Sequence, residues 1–201
     1  MNIITLQCQI KGIRPIIMHN GRTADPLDPY TLKLKEYTKK RTKTDEDHRI
    51  IGDLEFEAAL YWSDEIGLYI PRDGLQRMLF DGSKKLKMGG QMYAVSVAEE
   101  IGGALITKNH KNLKALKEDS DLYFRHPVIV NNSKVIKTRP KIPEGWKMSF
   151  NVELDLEGMN QEDFEQILTL CGARIGIGSW RPGSPKQGSF GKFIVEKVTR
   201  L

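Results

Sequence analysis

The last third of the chain sets the tightest limit on what it can fold into. From Trp146 to Leu156 apolar and polar residues alternate without a break, with Trp146, Met148, Phe150, Val152, Leu154 and Leu156 set against Lys147, Ser149, Asn151, Glu153 and Asp155. A period of two sends successive side chains to opposite faces, so this stretch is a strand with one buried side. Asn160 then carries the short side-chain oxygen that an N-cap needs, and Phe164, Ile167, Leu168 and Cys171 follow at helical spacing. A glycine-rich loop and the stretch "KFIVEKV" complete a strand, helix, strand unit. At the other end of the chain Ile4, Leu6, Cys8 and Ile10 alternate with Thr5, Gln7, Gln9 and Lys11, a second half-buried strand.

Faces of this kind have to be buried against one another, and the order of elements selects an α+β class. The expected architecture is an antiparallel ferredoxin-like or RRM-like sheet with helices on one face and inserted loops or hairpin arms. Its open face is then free to hold a ligand, as RNA-recognition modules do through stacked aromatics. With 201 residues, the chain is read as one domain, residues 1–201, with insertions at about 12–60 and 88–145.

Between the ends the pattern is more varied. "RPIIMHNGRTADPLDP" carries Pro15, Gly21, Pro26 and Pro29 and predicts a long loop. A helix follows from Tyr30 to about Arg41, then a second, opened by a capping box of Thr44 and Asp47 and running through Ala59. "ALYWSDEIGLYIP" predicts a hairpin turning at Asp64 to Gly67, and Asp73 is expected to cap a helix from about Gly74 to Leu86. "QMYAVSVAEE" reads as a strand and "VIVNNSKVIK" as a hairpin turning on Asn131 and Asn132, with a mobile Lys-rich excursion between them.

The net charge of +5 and pI near 9.1 fit a polyanionic partner. Cys8 and Cys171 sit at apolar positions and predict buried free thiols in a reducing compartment, without a disulfide or zinc site. No apolar run approaches the roughly 20 residues that span a bilayer, and "MNIITLQCQIKG" lacks the parts of a signal peptide. A cytoplasmic protein without cofactor or membrane partner is expected.

The densest concentration of chemistry is "GIGSWRPGSPKQGSFGKFIVEKV", which holds Gly176, Gly178, Gly183, Gly188 and Gly191 together with Arg181, Lys186 and Lys192. Glycine lets backbone N–H groups approach phosphate oxygens, arginine grips phosphate with two parallel donors, and lysine adds point charge. The alternative is a tight loop whose glycines only close a turn. No Gly-Lys-Ser/Thr follows, so it is not a P-loop. Trp180 is the better candidate for stacking on a base, while Phe190 is expected to pin the loop to the core. Further basic groups are Lys39, Lys40 and Arg41 at a helix end, Lys84 and Lys85 at another, and Lys137, Arg139 and Lys141 on the hairpin arm. A solvated face is the competing explanation for each.

Two of these stretches resemble one family. "YIPRDGLQRMLFDGSKKL", Tyr69 to Leu86, is similar to the strand-to-helix junction of the RAMP superfamily, the repeat-associated proteins of CRISPR complexes, and the Gly176 to Val198 stretch resembles that superfamily's glycine-rich loop before its last strand. The chain departs from the pattern in two places. Arg72, Asp73 and Gly74 stand where the family has a serine pair, and "PGSPKQ" is inserted in the loop. The segment from Ala24 to Trp62 also looks like a group of bacteriophage proteins, for which the compartment would be host cytoplasm.

The resemblance implies a single-stranded DNA- or RNA-binding protein that forms a homo-oligomer or filament along its strand. Some RAMP proteins cut RNA with a histidine or an aspartate after the first strand. His19, Asp25 and Asp28 lie there but match no catalytic motif, so no catalytic residue is assigned. His19 is read as structural, and each aspartate precedes a proline as turn formation favours. The rival readings are a metal-independent endoribonuclease and a protein-binding mimic of a defence-complex subunit.

Overall fold

The computed structural model describes residues 2–107, 112–130 and 132–201. Strands are β1 (Ile3–Gly12), β2 (Ile16–Ile17), β3 (Trp62–Ser63), β4 (Gly67–Pro71), β5 (Val95–Val97), β6 (Gly102–Ile106), β7 (Tyr123–Val130), β8 (Ser133–Ile142), β9 (Lys147–Asp155) and β10 (Phe193–Arg200). Helices are α1 (Pro29–Thr38), α2 (Asp45–Ala59), α3 (Arg72–Lys85), α4 (Leu113–Glu118) and α5 (Gln161–Leu170). No helix among the described residues is long and apolar enough to cross a membrane.

The main sheet runs β10-β1-β9-β6-β4-β3, with β5 also paired to β9, and its neighbours are antiparallel. Taking β5 and β6 together, this is the 4-1-3-2 order of a ferredoxin-like sheet, with the small β3–β4 hairpin at one edge. β1 lies in its centre because both its neighbours pair along nearly its whole length, and its alternation places Leu6, Cys8 and Ile10 at zero exposure. Helices α3 and α5 cover that face. They approach closely at Gly82, where a Cβ would lie 2.3 Å from the Cys171 sulfur. Burial pushes both thiols, Cys8 and Cys171, up to about 12, so they remain protonated in the core.

The opposite face differs from the expectation raised by RNA-recognition modules. Thr5, Gln7, Gln9 and Lys11 on β1 lie beside Ser149, Asn151 and Glu153 on β9, so polar side chains fill its middle, and Tyr69 stands toward its edge in one row with Ala104, Ser149 and Gln9. A larger cluster of accessible aromatic side chains lies elsewhere.

A second, three-stranded sheet of β2, β8 and β7 forms the arm. It is docked onto α2 in two ways. Phe56 stacks on Tyr123 with ring centroids 4.0 Å apart, and the Glu55 carboxylate accepts hydrogen bonds from the Thr138 amide at 2.8 Å and the Lys137 ammonium at 2.6 Å. The capping box that opens α2 is present in full, since Thr44 and Asp47 exchange side-chain to backbone bonds.

Several local expectations need correction. Pro71, not Asp73, occupies the N-cap of α3, because β4 runs directly into the helix and Asp73 falls in its first turn. The helix expected to Arg41 stops at Thr38, and Lys39 caps it. "QMYAVSVAEE" begins as a 3-10 turn, Gly89–Ala94, and only Val95–Val97 is strand. The Lys-rich excursion contains β6 and α4; its central residues, 108–111, and the expected turn residue Asn131 lie outside the described residues. β6 escaped notice because it is short and bears two glycines, yet it pairs on both sides.

Candidate functional site

The glycine-rich loop begins where α5 ends. The helix loosens into a wide turn, Cys171–Ile175, and Gly176 leaves it at φ +71°. From there the loop is sewn to the segment after β1: Ser179 N–H donates to Ile17 O at 2.8 Å and Gly191 N–H to Pro15 O at 2.8 Å. A Cβ on Gly178 would lie 2.6 Å from Ile17 O, and one on Gly188 would lie 1.9 Å from Trp180 O. The amides of Ile177, Ser179, Gly183, Gly188, Phe190 and Gly191 all donate to backbone carbonyls. The glycines therefore allow the loop to fold tightly on itself, and these amides are not the free phosphate donors that the composition suggested. Recognition by this loop falls to its side chains.

Three sequence-distant pieces meet beside it. His19 from the loop after β2, Pro71, Asp73, Gly74 and Arg77 from the β4–α3 junction, and Gly176 to Ser179 with Arg181 line a groove of about 460 Å³. Tyr61 closes one side, its hydroxyl donating to His19 O at 2.9 Å. The two stretches that carry the family resemblance are thus brought face to face, although about a hundred residues separate them in sequence. Within the junction Arg72 turns away, its guanidinium donating to Val97 O and Ser96 Oγ. Burial, followed by the nearby charges of Arg139 and Lys137, lowers the pKa of His19 below its ordinary value. Lys137 and Arg139 lie on the arm side of His19, in a neighbouring cleft that His19 also lines.

Adjoining the groove is a cluster of rings and cations. Trp180 has φ +50°, a conformation that a bulky residue rarely adopts and that costs about 1–3 kcal/mol. Its indole ring lies 4.8 Å from His126 and 5.9 Å from Phe124 on β7, and 6.4 Å from Phe190. Arg139 on β8 sits 5.0 Å over the indole, and Lys141 lies 5.3 Å from the Phe124 ring. The register of the arm explains this grouping, because Phe124 is paired with Arg139 and His126 with Lys137. All four rings remain partly or fully accessible. Phe190, expected to reach the core, instead belongs to this surface cluster.

The other sequence candidates are distributed as follows. Arg181 bonds Gly178 O at 3.3 Å and pairs with Asp81 at 3.5 Å, while its buried Nε has no hydrogen-bond partner among the described residues. Lys186 is exposed on the loop, and the Lys192 carbonyl accepts from the amides of Ile13 and Arg14. Lys84 and Lys85 lie on the far side of Arg181. Lys137 is paired with Glu55. Lys39, Lys40 and Arg41 stay at the α1–α2 corner, with Lys40 paired to Asp47 at 2.5 Å, and line none of the clefts described here. Asp25 and Asp28 do form turns, accepting from Leu27 N–H and Tyr30 N–H. Arg77, Phe124 and His126 were missed by sequence reasoning. The alternation of "YFRHPV" opposite "KTRPK" carried a signal for the last two, legible once the hairpin register is known.

No protein-family model matches the sequence, and no curated protein matches it. Among solved structures, a chain of the type III-B Cmr-beta bound to cognate target RNA, determined by cryo-EM, is similar over 100% of this chain at 10% identity and a TM-score of 0.47. This chain covers 61% of that neighbour's length.

Proposed function

We propose that this protein binds single-stranded nucleic acid, DNA or RNA, without cutting it. The observation that carries the reading is Trp180, held in a strained backbone conformation between an arginine-bearing groove and the ring cluster of the arm. Strain of this kind persists where surrounding structure over-determines it, and here it keeps an indole at the surface beside Arg139. Partly accessible aromatic rings offer stacking planes to bases of any sequence, while Arg77, Arg181 and Arg139 supply charge for the backbone. Such binding is weakly sequence-specific and strongly salt-dependent.

The family resemblance of the groove-lining stretches supports the same reading and extends it to a homo-oligomer or filament along the strand. The arm offers a means of contact between copies, because Ile129, 64% exposed, stands near Ile136 and Val130 at its outer end. Sedimentation with strands of increasing length would then show mass rising in steps.

Fluorescence anisotropy with labelled single-stranded DNA, single-stranded RNA and duplex across a salt series tests the central claim. Single strands should bind, with log affinity falling against log salt by about 0.7 per phosphate contact. Equal, flat traces for all three would refute it, and pull-down of a protein partner would become the next experiment. A histidine beside two arginines is one observation that favours a nuclease as the second reading; metal-independent RNA cleavage abolished by His19→Ala would establish it.

A further inference from the structure

The inserted "PGSPKQ" of the loop finds its place in the tertiary structure. It forms one wall of an open cleft of about 850 Å³ on the helix side of Arg181, whose other wall is α3. The cleft gathers Arg77, Lys84, Lys85, Arg174 and Arg181 against a single carboxylate, Asp81. Among the described residues Lys84, Lys85 and Arg174 form no ion pair with a carboxylate, whereas the Asp81 oxygens reach Arg77 at 2.9 Å and Arg181 at 3.5 Å. The insert is stiffened by Pro182 and Pro185, and it is fixed by Gly183 N–H donating to Ile175 O at 2.9 Å and Ser184 N–H to Arg181 O at 3.1 Å. A solvated lysine face needs no such rigid opposite wall.

Arg77 and Arg181 also line the groove described above, so the two spaces adjoin, with the Arg77–Asp81–Arg181 bridge between them. We infer that this second cleft is a phosphate-binding site, and that its occupant is a backbone phosphate of the strand lying in the groove. This rests on the proposed strand binding. Asp81 occupies the position between two guanidinium groups that an anionic oxygen would take, and so competes with the ligand for them.

The test uses the full chain, Lys85→Ala with Arg174→Ala, Asp81→Asn, and two probes. In the anisotropy salt series the double variant should lose about 0.7 from the salt slope for each phosphate contact removed, and Asp81→Asn should bind more tightly than the parent. Inorganic tripolyphosphate, followed by amide NMR, should shift the Arg174, Gly183 and Ser184 signals in the parent and not in the double variant. Parent-like slope and affinity in the double variant, with strands still bound, overturn the cleft and leave the groove standing. Tripolyphosphate shifts in a protein that binds no strand overturn the strand as occupant while retaining a free polyphosphate site. Unmoved signals at all three residues overturn the site itself.

Discussion

Replacing Glu55 by alanine should loosen the arm from the body. The carboxylate is 8% exposed and accepts from two donors of unequal standing. Lys137 is 39% exposed at its side chain, so its share of the pair falls in the surface range of about 0–1 kcal/mol. The Thr138 amide is buried in the sheet, and leaving it without an acceptor costs about 1–3 kcal/mol. Together these come to about 1–4 kcal/mol for Glu55→Ala, centred near 2. Glu55→Gln keeps an acceptor oxygen for Thr138 and loses only charge, so about 1 kcal/mol is expected. In urea denaturation, with m of about 2 kcal/mol/M, the alanine variant should unfold about 1 M earlier. Hydrogen exchange should localise the loss to Thr138 and its neighbours on β8. Equal midpoints for the alanine and glutamine variants, or a Thr138 amide still protected in Glu55→Ala, would refute the argument.

Three further outcomes are expected. Trp180→Ala should weaken strand binding by about 1–3 kcal/mol, roughly 5- to 150-fold by anisotropy; Trp180→Gly should bind as poorly but melt higher than the alanine variant, since glycine accepts φ +50° without strain. Gly188→Ala places a Cβ 1.9 Å from Trp180 O and should cost about 1–3 kcal/mol in thermal denaturation, with a parallel loss of binding. His19 has a folded pKa held below its ordinary 6.5 by burial and by Arg139 and Lys137. Protonation thus disfavours the fold, and the stability His19 contributes is full above pH 6.5 and lost as pH falls through the lower folded value. Phosphates that offset Arg139 and Lys137 should raise that pKa, so binding should tighten from pH 7.5 to 6 at constant ionic strength, and more in the parent than in His19→Asn. Identical pH slopes would remove His19 from the groove's electrostatics.

Much of the fold was legible in local pattern. The alternations of β1 and β9, the capping box at Thr44 and Asp47, the Asn160 cap and the helical spacing of Phe164 to Cys171 each depend on residues close in sequence, and each appears in the structure at nearly the expected bounds. β6 and the start of α3 were misread because their character comes from partners: two neighbouring strands hold β6, and a strand entering directly leaves Asp73 with nothing to cap.

The candidate site divides along the same line. That Arg181, Trp180 and the glycines form a chemically unusual loop is a property of the amino-acid sequence alone. That Gly188 leaves room for Trp180's carbonyl, that Arg139 sits over the indole, and that Arg77 joins Arg181 through Asp81 follow only from tertiary structure. Periodicity reports which face of an element is buried, since that is fixed by residues a turn or two apart. Which surface side chains converge depends on sheet register and on the docking of the arm against α2, and those contacts join residues dozens of positions apart.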